Sequence, residues 1–95
     1  MAFYTYLLAS APYGTLYCGH TDFLAKRISE HKEKVRPGFT ADYGVSRLVW
    51  YAVHDTREGA KAHEQRIKKW NRAWKIRLIE ENNPGWLDLY ETLNQ

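Results

Sequence analysis

The sequence predicts an α+β fold in which a hairpin and one further strand form a small sheet with helices packed on it, in the order β-β-α-β-α-α. Three observations predict it. FYTYLLA at 3–9 and TLYCGH at 15–20 are short aromatic and apolar runs split by the turn residues Ser10-Ala11-Pro12-Tyr13-Gly14. LVWYAV at 48–53 is a nearly continuous run of β-formers. The segments after each strand region carry cap residues and helical spacing.

Taken in order, Phe3 to Ala9 is the first strand and Thr15 to His20 the returning one. Thr21 or Asp22 suits an N-cap, and Phe23 to Lys34 has helical spacing through Leu24, Ile28 and His31. Arg36 to Gly44, with Pro37, Gly38 and Gly44, reads as a loop. The apolar run at 48–53 predicts a buried, central strand. Asp55 or Thr56 caps a second helix to about Lys69, and a third runs from Asn71 to about Asn82. Asn83-Pro84-Gly85 stops it, and Trp86 to Leu93 is expected as a short closing helix.

A chain of 95 residues is expected to make a single domain with one modest core. Apolar residues make up 44% and charged residues 26%, an ordinary globular balance that excludes a disordered chain. No run approaches the ~20 apolar residues of a membrane span, and Met1 to Ala9 has no basic n-region. The single Cys18 excludes an internal disulfide and a cysteine-rich zinc site, and fits a cytoplasmic location. The net charge of +3 is unevenly spread: Lys61, Arg66, Lys68, Lys69, Arg72, Lys75 and Arg77 stand against Glu64 alone. Such a block is either a solvated helix face or a polyanion-binding surface.

Four features do not reduce to packing. In the second strand Tyr17 and Gly19 share a face, so a gap lies beside a phenol; it admits a ligand or a neighbouring backbone, or marks a bulge. Arg27 and His31 lie four apart on one helical face, an arrangement for a phosphate oxygen and a proton acceptor or for a solvent boundary. Ala60, Glu64, Ile67 and Asn71 follow the spacing of a buried stripe, which draws Glu64 inward. A buried carboxylate needs a cation, and Arg, Lys or a metal ion all qualify. A lone Glu makes an incomplete metal site of the kind Mg²⁺ completes with waters and phosphate oxygens. Lastly, RIKKWNRAWKIR interleaves cations with Trp70 and Trp74, read as core indoles beneath a cationic anion-binding surface.

The order of these features resembles the GIY-YIG endonuclease superfamily, above all its small single-domain bacterial members. The resemblance runs from about Phe3 to Tyr90 through Tyr6, GTLYCGHT, Leu24-Arg27-His31, FTADYG, RLVWY, Glu64, RAWKIRLIE and NPGWLDLY. Its departures are YTY for the first triplet, Cys18 within the second, and His31 where some relatives carry tyrosine. Asn71 stands near the region of the asparagine that closes the site in longer members, without a secure match in spacing.

The resemblance implies a three-stranded antiparallel sheet flanked by helices, and Mg²⁺- or Mn²⁺-dependent hydrolysis of a phosphodiester in nucleic acid, above all DNA. It implies that Tyr6 and Tyr17 border the attacking water, with Tyr17 activating it, and that Gly19 leaves room for the substrate backbone. Arg27 would stabilise phosphate charge, and Glu64 would be the sole protein ligand of the metal. His31 is an alternative base or the group that orients the phenol, because neutral imidazole accepts protons better than a phenol near pH 7. His20, Lys68, Lys69 and Arg72 are the remaining substrate-binding candidates. The expected protein is a monomeric nuclease of DNA repair or processing. A non-catalytic nucleic-acid-binding module of the same fold and a protein-interaction domain are the rivals.

Overall fold

Strand β1 (Phe3–Ala9) lies in the middle of a three-stranded antiparallel sheet of order β2-β1-β3, between β2 (Leu16–Thr21) and β3 (Arg47–His54). The structure, a computed structural model, describes residues 2–34 and 38–93. Helix α1 (Leu24–Glu33) follows β2, a short α2 (Phe39–Asp42) precedes β3, and α3 (Arg57–Lys68) and α4 (Arg72–Asn82) follow it. No helix among the described residues is long and apolar enough to cross a membrane.

Alternation along β1 sends Leu7 and Ala9 to one face and Tyr6 and Leu8 to the other. The first pair packs with Cys18, Val49 and Trp50 against Ile67 of α3, Ile79 of α4 and Trp86. The second packs with Leu48 and Val45 against Leu24 and Ile28 of α1. Both faces of β1 are therefore covered, and its last five residues are all buried.

Several expectations are corrected here. The run at 48–53 is not the central strand: β3 is an edge, and Val53 is 60% exposed. Leu48, Val49 and Trp50 are buried all the same, so the composition matches that of a central strand, and only pairing tells the two apart. α1 is capped neither by Thr21 nor by Asp22. Its N-cap is Phe23, without a side-chain bond, while the Thr21 hydroxyl accepts from the Phe23 N–H. Within the expected loop, residues 39–42 form the short α2; Arg36 and Pro37 lie outside the described residues. The closing segment is a 3₁₀ turn at Leu89–Thr92, capped by Asp88, rather than a helix from Trp86.

The second helix begins as expected: Thr56 caps α3 by accepting from the Gly59 N–H. Asn71, by contrast, does not continue the buried stripe of α3. It is exposed and caps α4, its side chain accepting from the Trp74 N–H, because the chain breaks between the two helices. Nor is Trp74 a core indole; it is 52% exposed, and Trp70 is only partly buried against the core.

Candidate functional site

The free edge of β2 brings the candidate residues together from both faces of the sheet. On the α1 face, β1 supplies Tyr6, β2 supplies Tyr17 and Gly19, and α1 supplies Arg27 and His31. Tyr6 and Gly19 are direct cross-strand partners. A Cβ on Gly19 would stand 2.5 Å from the Tyr6 oxygen, 2.7 Å from its Cζ and 3.1 Å from Cε2 of Tyr17. The space expected for a substrate backbone is thus filled by the two phenols, and glycine is what lets them cross the strand.

Tyr6 is 1% exposed, and its hydroxyl lies 3.2 Å from Nε2 of His31 and also bonds Arg27, whose guanidinium donates. The other imidazole nitrogen, Nδ1, lies 3.0 Å from the Thr40 hydroxyl. Both nitrogens of His31 are therefore engaged, one as donor and one as acceptor when the ring is neutral. Such a ring can orient its neighbours. Burial pushes the Tyr6 phenol up to about 12, with the charges of Tyr17 and Glu64 adding to the rise and Arg27 opposing it. Tyr6 stays protonated across the working range, as a hydrogen-bonding group.

Tyr17 is half-buried, with its ring centroid 6.4 Å from that of Tyr6 and 5.7 Å from that of His31. It also lines an open cleft of about 310 Å³ with Lys68 and Lys75. Of the two phenols it is the one within reach of solvent. Burial disfavours the charge of Arg27, but the Tyr6 hydrogen bond together with the charges of Tyr6, Tyr17 and Glu30 outweighs it and raises the guanidinium pKa. Its Nε is buried with no hydrogen-bond partner among the described residues. An unmet buried donor costs about 1–3 kcal/mol, a cost an oxygen ligand would remove.

Glu64 sits on the opposite face, where α3 covers β2. Its side chain is 13% exposed; Oε1 accepts from His20 Nδ1 at 2.7 Å and Oε2 from Lys68 Nζ at 2.8 Å. Burial raises this carboxyl, but the Lys68 and His20 hydrogen bonds outweigh that and hold it below the usual range. The same Lys68 ammonium reaches round the strand edge to lie 5.9 Å from the Tyr17 ring centroid. The arrangement is thus not one hollow but two half-sites, joined over an edge strand by a lysine.

Among the described residues no group of three His, Cys, Asp or Glu side chains could hold a metal ion. One carboxylate fits a hard cation that keeps most of its waters, as Mg²⁺ does. After one hydrogen bond to each oxygen, the Glu64 carboxylate still has lone pairs to offer. The donor set is compatible with such an ion.

The other candidates fall outside this cluster. Lys69 is exposed at the end of α3. Arg72 donates to the carbonyl oxygens of Tyr13 and Gly14, tying α4 to the hairpin turn. Cys18 is buried, and burial with the Glu64 charge pushes its thiol up to about 12, so it is inert. Thr40 was not among the residues singled out by sequence. Thr40 falls within the FTADYG stretch, but the four-residue α2 is too short for a periodicity to mark it, and only its place beside α1 reveals its bond to His31.

Comparison with known proteins gives the family and the fold. A model described as the GIY-YIG catalytic domain matches residues 2–77. A UPF0213 protein of Syntrophus aciditrophicus is 35% identical over 80 residues, 83% of this chain and 91% of that one. Another, from Clostridium perfringens, is 32% identical over 73% of this chain and 74% of its own. The solution NMR structure of a UPF0213 protein from Bacillus halodurans superposes with a TM-score of 0.56 at 26% identity, covering 93% of each chain.

Proposed function

Because the chain belongs to the GIY-YIG family, a nuclease-type family, we propose that it is a divalent-metal-dependent endonuclease that hydrolyses phosphodiester bonds in DNA, acting in repair or processing. The observation that carries this reading is the cluster of Tyr6, Tyr17, Arg27 and His31 at a free strand edge, with the Glu64 carboxylate across it. Tyr17, the less buried phenol, borders the attacking water and, as the phenolate left once its own proton has passed to solvent, takes the water's proton. His31, held by Thr40, fixes Tyr6, and Tyr6 in turn fixes Arg27. The guanidinium binds a phosphate oxygen and stabilises charge that develops on it. Glu64 would hold a Mg²⁺ or Mn²⁺ ion, which when bound polarises the phosphoryl oxygen and stabilises the leaving oxygen. Lys68, half exposed beside Glu64, binds a phosphate oxygen.

The test is a cleavage panel of duplex, flap, fork and single-stranded DNA in Mg²⁺ and in Mn²⁺, with wild type beside Glu64→Ala. The expected result is metal-dependent nicking by wild type and none by the variant, whose circular dichroism is unchanged. One observation favours a second reading, a binding module without turnover: both oxygens of Glu64 already accept hydrogen bonds from basic side chains. Equal inertness of both proteins, with DNA affinity that falls steeply with salt, would select it.

A further inference from the structure

The interleaved segment RIKKWNRAWKIR has a second consequence, separate from the strand edge. Trp74, Arg77, Leu78 and Glu81 share one face of α4, and with Trp70 they line a groove of about 240 Å³. The two indoles stand edge to face with centroids 6.1 Å apart. Trp70 and Leu78 pack against the core and form the floor, while Trp74, 52% exposed, forms a wall. The volume is below the ~300–1,000 Å³ of cavities that enclose whole small molecules, and suits one flat ring.

Charge says what kind of ring. Arg66, Lys69 and Arg77 make no ion pair among the described residues, so the surroundings of the groove are strongly cationic. Glu81, one turn along α4 from Arg77, also lines the groove, and a carboxylate there repels a phosphate. A neutral aromatic ring attached to an anionic backbone meets both conditions: the ring enters, and the backbone stays outside on the cations. The neighbouring residue on α4, Lys75, lines the cleft of Tyr17 and Lys68, about 100° round the helix from Trp74. One strand can therefore run from Tyr17 past Lys68 and Lys75 to the indoles.

We infer that the Trp70–Trp74 groove of α4 is a stacking site for an unpaired base of single-stranded nucleic acid, which makes a strand with exposed bases the substrate class. This rests on the nucleic-acid reading above, though not on cleavage. A duplex keeps its bases stacked internally and cannot fill the groove, whereas a flap, gap or single strand can. An acidic peptide would use the cations alone.

The test is fluorescence anisotropy with a labelled single-stranded oligonucleotide, the matching duplex and a labelled poly-glutamate peptide, for wild type, Trp74→Ala, Trp74→Phe and Arg77→Glu. Trp74→Ala is expected to weaken single-strand binding about 5- to 150-fold, the range of one lost base–aromatic stack, and to leave duplex binding unchanged. Trp74→Phe retains most of the affinity, and Arg77→Glu, which also alters the groove, weakens binding to both DNA forms. Single-strand affinity unchanged in Trp74→Ala overturns the inference. So does absent single-strand binding, or a loss shown equally by poly-glutamate. Trp74-dependent binding without cleavage by wild type would remove the nuclease reading and leave this one standing. Cleavage with Trp74-independent binding would do the reverse.

Discussion

The two faces of the sheet handle polar groups in opposite ways. On the α1 face a chain of Thr40, His31, Tyr6 and Arg27 is linked by hydrogen bonds around a phenol that water does not reach. On the α3 face Glu64, His20 and Lys68 form an ion-paired group whose lysine is half exposed. Burying the neutral Thr40–His31–Tyr6 part of this network is inexpensive because each member is partnered, while an isolated buried charge costs several kcal/mol. Arg27 keeps its charge half-buried at the rim, 3.7 Å from Glu30. The division follows from this: position is held in the dry layer, and charge is kept near the rim. Tyr17 lies between the two, in ring contact with His31 and under the Lys68 ammonium.

The sharpest way to break the comparison is to remove each phenol oxygen in turn. Tyr17→Phe is expected to lower turnover by about 10²–10⁴, the usual contribution of a positioned acid–base group, while lowering stability less than Tyr6→Phe does. Steady-state nicking assays and urea unfolding would read the two effects. Tyr6→Phe should give a large stability loss, about 1–3 kcal/mol, because His31 and Arg27 each lose a buried partner. If instead Tyr6→Phe leaves the unfolding midpoint untouched, the dry network is not what holds this face.

Next in size is Gly19→Ala. The added Cβ meets the buried Tyr6 ring at 2.5–2.7 Å, so either ring or strand must shift. Overpacking of this kind costs about 1–3 kcal/mol, measured by urea unfolding. A Tyr6→Ala background should recover part of that cost, since it vacates the contested space.

Lys68→Ala is a smaller perturbation. An exposed lysine contributes about 0.2–1 kcal/mol to such a pair. The Glu64 carboxyl should then titrate higher than in wild type, because the Lys68 hydrogen bond is the largest influence holding it down. A carboxyl with a depressed pKa adds stability above its unfolded value and loses it as pH falls. The acid limb of the stability curve should therefore flatten in the variant, by thermal melts across pH 3–6.

The smallest expected effect lies away from the site. Thr5 donates its hydroxyl to the Ala60 carbonyl at 2.8 Å, so it accepts from Nε2–H of His54, which also lies 3.1 Å from Nδ1 of His63. Burial, then the His54 and Arg66 charges, lower the pKa of His63. A histidine depressed in the folded state binds fewer protons than the unfolded chain, so its contribution is intact above the unfolded value of about 6.5 and is lost as pH falls below it. Melts of wild type and His63→Gln from pH 8 to 5 should show a shallower acid decline in the variant.

Much of this was legible before any tertiary structure. The strand runs at 3–9 and 48–53, the Thr56 cap and the Asn83-Pro84-Gly85 stop are local signals, carried by alternation, hydroxyl capping and backbone restriction over a few residues. Tyr17, Arg27, His31 and Glu64 could be singled out because each sits awkwardly in its local pattern, whereas Tyr6 entered only through the resemblance to the GIY-YIG superfamily. What misled was local pattern applied to a global question. LVWYAV looks central but forms an edge, and Trp74 has core chemistry yet stands half in water.

By itself the sequence determined the three strands and three longer helices, their order and the residue types available for chemistry, since these depend on interactions within a turn or two of chain. Only the tertiary structure decided that Gly19 makes way for Tyr6, that Thr40 holds His31, and that Glu64 lies across a strand edge from the phenols. Those facts depend on which strands pair and which helix covers which face. Pairing and coverage join residues dozens of positions apart, and no periodicity in the chain records them.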